Sequence, residues 1–276
     1  MHNLKLFVTL NQISIIMAIT FLNFTQAELN NFLADKRPLH KHMSLESALN
    51  SLNNQILWFA NPTTWKDPFE SRFVMAKYIK NGKEITYPWY NRIFCTCLTQ
   101  TAASEAYWTP YSQQQIGVEF KINRQVLIKQ LEEYSTNYEI FIGRVEYMMT
   151  KEIKGALSSI PFSPPIPVKE TREWWARLLL LKRNAYRYED EIRIIIIKKD
   201  TTKEKGISLK YSCANTDLIQ SIVLDPSIEA NTFSMLREIF ETKYKFLPFN
   251  NKSNKLSHRV TKSQLYAKQK VHQFKL

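Results

Sequence analysis

Tyr188-Glu189-Asp190-Glu191-Ile192-Arg193 runs straight into Ile194-Ile195-Ile196-Ile197. Branching at Cβ stiffens each isoleucine and favours an extended chain. The block therefore reads as a buried core strand bounded by Lys198, Lys199 and Asp200. Three carboxylates then stand at the mouth of that strand, on the loop leading into it. A rigid element ending in a charged loop can hold a carboxylate firmly and still present it to a substrate.

The rest of the chain sets limits on that chemistry. Its 276 residues are 44% hydrophobic and 23% charged, which is the composition of a folded protein with room for a core. Only 5 glycines are present, and neither a phosphate-cradling glycine loop nor a dinucleotide fingerprint occurs. The net charge of +13 favours an anionic partner, a nucleotide or nucleic acid, or serves solubility alone. Lysines crowd residues 243–275, where no acid occurs. The 3 cysteines, Cys95, Cys97 and Cys213, form no disulfide framework and complete no zinc site. Cys95 and Cys97 alternate within one expected strand as small buried hydrophobes. This cysteine usage fits a reducing, cytoplasmic setting. Ile13 to Phe24 is mostly apolar but too short to span a bilayer comfortably. It reads as a packed helix or an extended start, with a signal segment ending near Ala27 as the alternative.

Periodicity gives an intermixed order of strands and helices. Ser44 caps a helix whose Leu45, Ala48, Leu49 and Leu52 share one face. Strands are expected at 56–60, 93–98, 117–122, 140–148, 207–211 and 219–224. Further helices are expected at 102–111, 123–134, 170–181 and 232–243, the last with Phe233, Leu236, Ile239 and Phe240 inward. Asp67-Pro68-Phe69-Glu70 reads as a capping box, with Glu70 returning to the cap amide. Pro161, Pro164, Pro165 and Pro167 make an extended connector. Strands and helices do not alternate strictly. The expected fold is therefore α+β, a single mixed domain with a central, mostly antiparallel sheet split around a cleft and flanking helices. Its expected bounds are residues 39–250, preceded by an apolar extension (1–38) and followed by a basic tail (251–276).

Four ordered blocks resemble the bacterial family known as domain of unknown function 2971, over about His40 to Tyr266. They are Leu57-Trp58-Phe59-Ala60-Asn61-Pro62 with Asp67-Pro68-Phe69-Glu70, Trp108-Thr109-Pro110-Tyr111 leading to Gly117-Val118-Glu119-Phe120, Tyr188 to Arg193, and Val260 to Tyr266. Lys66 and Ile192 depart from that family's usual residues. The order of an early His, a middle Tyr and a late Glu-x-Glu is similar to the ADP-ribosyltransferase superfamily. That resemblance implies an NAD-dependent ADP-ribosyltransferase-like enzyme, by family type a toxin or phage-defence effector. It implies Glu191, Glu189 and Tyr111 as catalytic residues. His40, His42, Trp108 and Arg193 would bind NAD as substrate, and Lys182 and Arg183 are further candidates for its pyrophosphate.

The chemistry would be cleavage of the bond between nicotinamide and ribose. A fixed carboxylate steadies the oxocarbenium-like transition state and can hold the 2′-hydroxyl. Each residue also has a plainer reading. Glu191 can pair with Arg193 or Arg187, Tyr111 can be a core aromatic, and His40 and His42 can be surface residues. The rivals are a metal-dependent nuclease, which suits clustered acids, and a non-catalytic nucleic-acid-binding module. Arg193 stands where such a nuclease commonly has a lysine, and arginine cannot act as a base.

Overall fold

The computed structural model describes residues 19–65, 67–71, 78–80, 82–85, 88–101, 105–112, 116–158, 169–200, 203–250 and 256–266. The expected proline connector, the start of the apolar N-terminal stretch and residues 251–255 and 267–276 of the lysine-rich end lie outside them. The fold is α+β, with mostly antiparallel strand pairing and flanking helices, as expected. Its contacts gather into two compact units.

In chain order the strands are β1 (Ile19–Leu22), β2 (Leu39–Ser44), β3 (Ile56–Ala60), β4 (Tyr78–Lys80), β5 (Lys83–Ile85) and β6 (Ile93–Thr99). Then come β7 (Gly117–Ile122), β8 (Tyr138–Arg144), β9 (Glu146–Met148), β10 (Leu181–Arg183) and β11 (Glu191–Lys198). The last are β12 (Gly206–Lys210), β13 (Ile219–Leu224), β14 (Phe249–Asn250), β15 (Leu256–Ser257) and β16 (Val260–Lys262).

The first unit comprises residues 1–36, 56–100 and 124–211. Its sheet runs β1-β8-β11-β6, and β6 continues through Ala60 to the antiparallel pair β3-β12. Only β1 and β8 pair in parallel within that sheet. Residues 19–36, read from sequence as part of an extension, supply β1 and the helix Gln26–Ala34. A capping box between Thr25 and Glu28 starts that helix. The isoleucine run lies in β11, central between β8 and β6, and every residue from Glu191 to Ile197 is buried. Strand alternation places Ile192, Ile194 and Ile196 on one face and Glu191, Arg193, Ile195 and Ile197 on the other. The second face carries a core with Leu22, Ile93, Cys95 and Phe141, covered by Ala176, Leu179 and Leu180 at the end of helix Lys169–Leu178.

The second unit comprises residues 37–55, 101–123 and 212–276. Its strands run β2-β7-β13-β16, antiparallel except for the last pair. Helix Leu45–Asn54 is capped by Ser44, whose side chain accepts from the Ser47 N–H, and it ends at Gln55 in the left-handed conformation. β16 was not legible as a strand, because it is three residues long and pairs in parallel across the chain. Helix Ala230–Thr242 buries Phe240, while Ile239, expected inward, is exposed.

Gly143 of β8 lies opposite Arg193 and beneath Leu180. A Cβ there would stand 2.2 Å from Leu180 Cδ1, and Leu180 is fully buried. Gly143→Ala is expected to destabilise the protein by about 1–3 kcal/mol through overpacking. Thermal unfolding of the variant against wild type checks this.

Candidate functional site

The chain reaches β11 through an irregular turn. Residues Asn184–Glu189 form a 3-10 helix, and Asp190 takes the left-handed conformation at φ 39°. Aspartate tolerates that conformation better than most residues. The reversal lets Glu189 and Glu191 point at one partner, the ammonium of Lys182 on β10. Lys182 Nζ lies 3.1 Å from Glu191 Oε2 and 3.0 Å from Glu70 Oε1, and it also pairs with Glu189 Oε2. Its three N–H donors thus face three carboxylates.

Arg193 completes the cluster. Its Nε donates to Glu191 Oε1 at 2.7 Å, and its Nη2 to Glu191 Oε2 and Glu70 Oε1 at 3.0 Å each. Nη1 donates to the Leu179 carbonyl at 2.6 Å, and the guanidinium lies 4.6 Å from the Trp65 ring centre. Beside this group, Arg183 donates to Asp67 Oδ2 at 3.0 Å.

Ionisation follows from these contacts. Burial would raise Glu191, but Arg193, Lys182 and the Cys97 thiol hold it well below the ordinary carboxylate range. Glu189 behaves oppositely. Burial raises it, Lys182 pulls it down, and repulsion from Glu191 and Glu70 adds to burial, leaving it at about 7. Lys182 is pushed above its ordinary value: burial works against its charge, but the three glutamates outweigh it. Burial and the nearby Glu191 push the Cys97 thiol up, so it is no ready nucleophile.

Several expectations change here. Glu191 is 6% exposed and both its oxygens are engaged, so it is not a lone carboxylate facing solvent. Its plainer reading, pairing with Arg193, describes its contacts. Arg193 is 1% exposed and cannot meet a pyrophosphate. Glu70 does not close a capping box. Asp67 does accept from the Phe69 N–H at 2.8 Å, but the Glu70 side chain turns inward to the two cations. Glu189, with its side chain 20% exposed, is the most accessible carboxylate on Lys182. Tyr186 and Tyr188 lie beside it on the same 3-10 helix, and Lys182 Nζ is 4.9 Å from the Tyr186 ring centre.

The remaining candidates belong to the second unit. His40 and His42 alternate on β2 and so share a face, and Glu119 of β7 lies between them. His40 Nδ1 is 2.8 Å from Glu119 Oε1. His42 Nε2 is 3.3 Å from Oε2, in ion-pair range but without hydrogen-bond geometry. Both histidines are buried, which corrects the surface reading. Tyr107 stacks on His42 at 4.9 Å and Trp108 meets it edge-on at 5.2 Å. Trp108 is 2% exposed and offers no open face for a nicotinamide. Tyr111 lies in helix Glu105–Ser112, and its side chain is outside the described residues. Among the described residues no His, Cys, Asp and Glu group is arranged to hold a metal ion, and no helix is long and apolar enough to cross a membrane.

Glu191→Gln is expected to cost about 3–5 kcal/mol, because the buried Arg193 guanidinium loses its bidentate carboxylate and the new amide NH2 faces a donor of Arg193 or Lys182. Denaturant unfolding measures this. Glu119 supplies a second test. Burial would raise it, but the hydrogen bond with His40 and the closeness of His42 hold it down, at about 2 against an ordinary 4.5. A depressed folded pKa stabilises above pH 4.5, and that share is lost as pH falls from 4.5 towards 2. The stability gap between wild type and Glu119→Gln should therefore narrow across that window in acid titrations of unfolding.

No family model, no curated protein and no solved structure matches the chain.

Proposed function

We propose that the chain is an NAD-consuming glycosyl transferase of ADP-ribosyltransferase-like chemistry, with Glu189 as its general base. The observation that carries the reading is Glu189 itself. It is partly exposed, anchored by Lys182 and set at about pH 7 by burial and by Glu191 and Glu70. A carboxylate poised there can take a proton at neutral pH and release it again.

The step balances simply. The bond from ribose C1′ to the nicotinamide nitrogen breaks, and its electron pair leaves with neutral nicotinamide. A hydroxyl oxygen, water in the simplest case, bonds to C1′, and its proton passes to Glu189. Tyr186 and Tyr188 offer aromatic surface beside Glu189 for a planar leaving group. Glu191 and Glu70 are positioning residues that hold Lys182 and so aim Glu189, and Arg193 fixes both of those carboxylates. Of the two carboxylates expected as catalytic, this keeps Glu189 and makes Glu191 a positioning residue. The nuclease rival is less well supported, because a divalent ion would have to displace the Lys182 ammonium from the point the three carboxylates share.

Incubation with NAD and mass spectrometry of released nicotinamide tests the reading. Turnover should rise with pH through about 7 and then level off, as a base with that pKa requires. Glu189→Gln should keep the circular dichroism of wild type and lose at least about 100-fold in rate. Absent turnover by wild type, or equal turnover by the variant, would refute the proposal.

A further inference from the structure

Away from the Lys182 cluster, the β3-β12 pair carries a second feature. On β3, Ile56, Leu57 and Phe59 are buried while Trp58 is 48% exposed. Its register partner on β12 is Ser208, also exposed. The indole does not stand free in solvent. A Cβ built on Gly206 would lie 2.1 Å from Trp58 Cζ2 and 2.6 Å from Cε2, so the ring rests across the bare glycine. Glycine is scarce in this chain, and here its missing side chain makes room for an aromatic plane whose remaining surface faces water.

Cations frame that plane. Lys210 is exposed at the end of β12 and Lys205 just before its start, about 17 Å apart along an extended chain at about 3.3 Å per residue. Lys203 is exposed just before them. Residues 198–210 carry five lysines against Asp200 and Glu204, and Glu204 already pairs with Lys198 at 3.3 Å. The Tyr134 hydroxyl donates to the Lys210 carbonyl at 2.6 Å and fixes that end.

We infer that the outward face of β3-β12 binds single-stranded nucleic acid, with a base stacked on Trp58 and the flanking phosphates met by Lys205 and Lys210. Base-on-aromatic stacking tolerates any sequence, and lysines along an extended strand follow a backbone without reading it. A chain at net charge +13 adds long-range attraction for such a polyanion. The inference does not rest on the glycosyl-transfer reading, since none of these residues belongs to the Lys182 cluster.

Fluorescence anisotropy with a fluorescein-labelled twelve-nucleotide oligothymidine tests it, with heparin as a base-free polyanion. Wild type should bind the oligonucleotide with Kd rising steeply with salt. Trp58→Ala should weaken that binding about tenfold, within the range for one stacked base, and leave heparin binding unchanged. Trp58→Phe should retain most of the affinity. Lys205→Glu with Lys210→Glu, two surface changes, should weaken both ligands and flatten the salt dependence by about 1.4 in log–log slope. If Trp58→Ala lowers thermal stability too far to assay, the Phe and the double-lysine variants decide. The inference fails if wild type does not bind at low salt. It fails if Trp58→Ala or the double-lysine variant binds the oligonucleotide as wild type does. Equal loss of heparin and oligonucleotide binding in Trp58→Ala would likewise overturn it.

Discussion

One ammonium group organises the first unit. Lys182 arrives on a short strand, faces Glu70, Glu189 and Glu191, and draws an acidic turn, a capped loop and a core strand to one point. Three carboxylates so close would repel one another severely in a dry interior. With Lys182 and Arg193 among them the cluster keeps one more acid than base, and the surplus settles on the member nearest solvent. That is why Glu191 is held ionised while Glu189 rises. The unusual carboxylate is thus a property of the group: burial, Glu191 and Glu70 raise it, and only Lys182 holds it back.

The second unit solves a similar problem with different means. Glu119 is buried on a central strand, and two imidazoles two residues apart on the neighbouring strand bracket it. Tyr107 and Trp108 close over His42 and complete the seal. The result is a packed polar pair of strands, in which histidines serve a carboxylate and present little to solvent.

Much of this was legible residue by residue. The Ser44 cap, the isoleucine strand and the alternation of Cys95 and Cys97 are local signals, and each appears where its spacing placed it. The acidic turn was recognised as the place of interest for the same reason. What stayed hidden was pairing over distance. Glu70 had a complete local explanation as part of a cap, and nothing near it announced Arg193, 123 residues later. His40 and His42 looked exposed beside Lys41, because Glu119 is nearly 80 residues away. A charged side chain in a sequence reads as surface until its partner is known, and both partners here come from other strands or loops.

Arg193 has a consequence for how the sheet assembles. Four successive isoleucines are interchangeable, so they cannot tell β11 which of two alignments with β6 and β8 to adopt. Sliding the strand by one residue turns each side chain to the opposite surface. That shift would thrust a permanently charged guanidinium into the layer of Phe94, Leu98 and Ile142, far from Glu70 and the Leu179 carbonyl, and stranding a buried ion there costs several kcal/mol. A single arginine thereby gives an otherwise featureless ribbon its alignment, much as a key admits only one way into a lock.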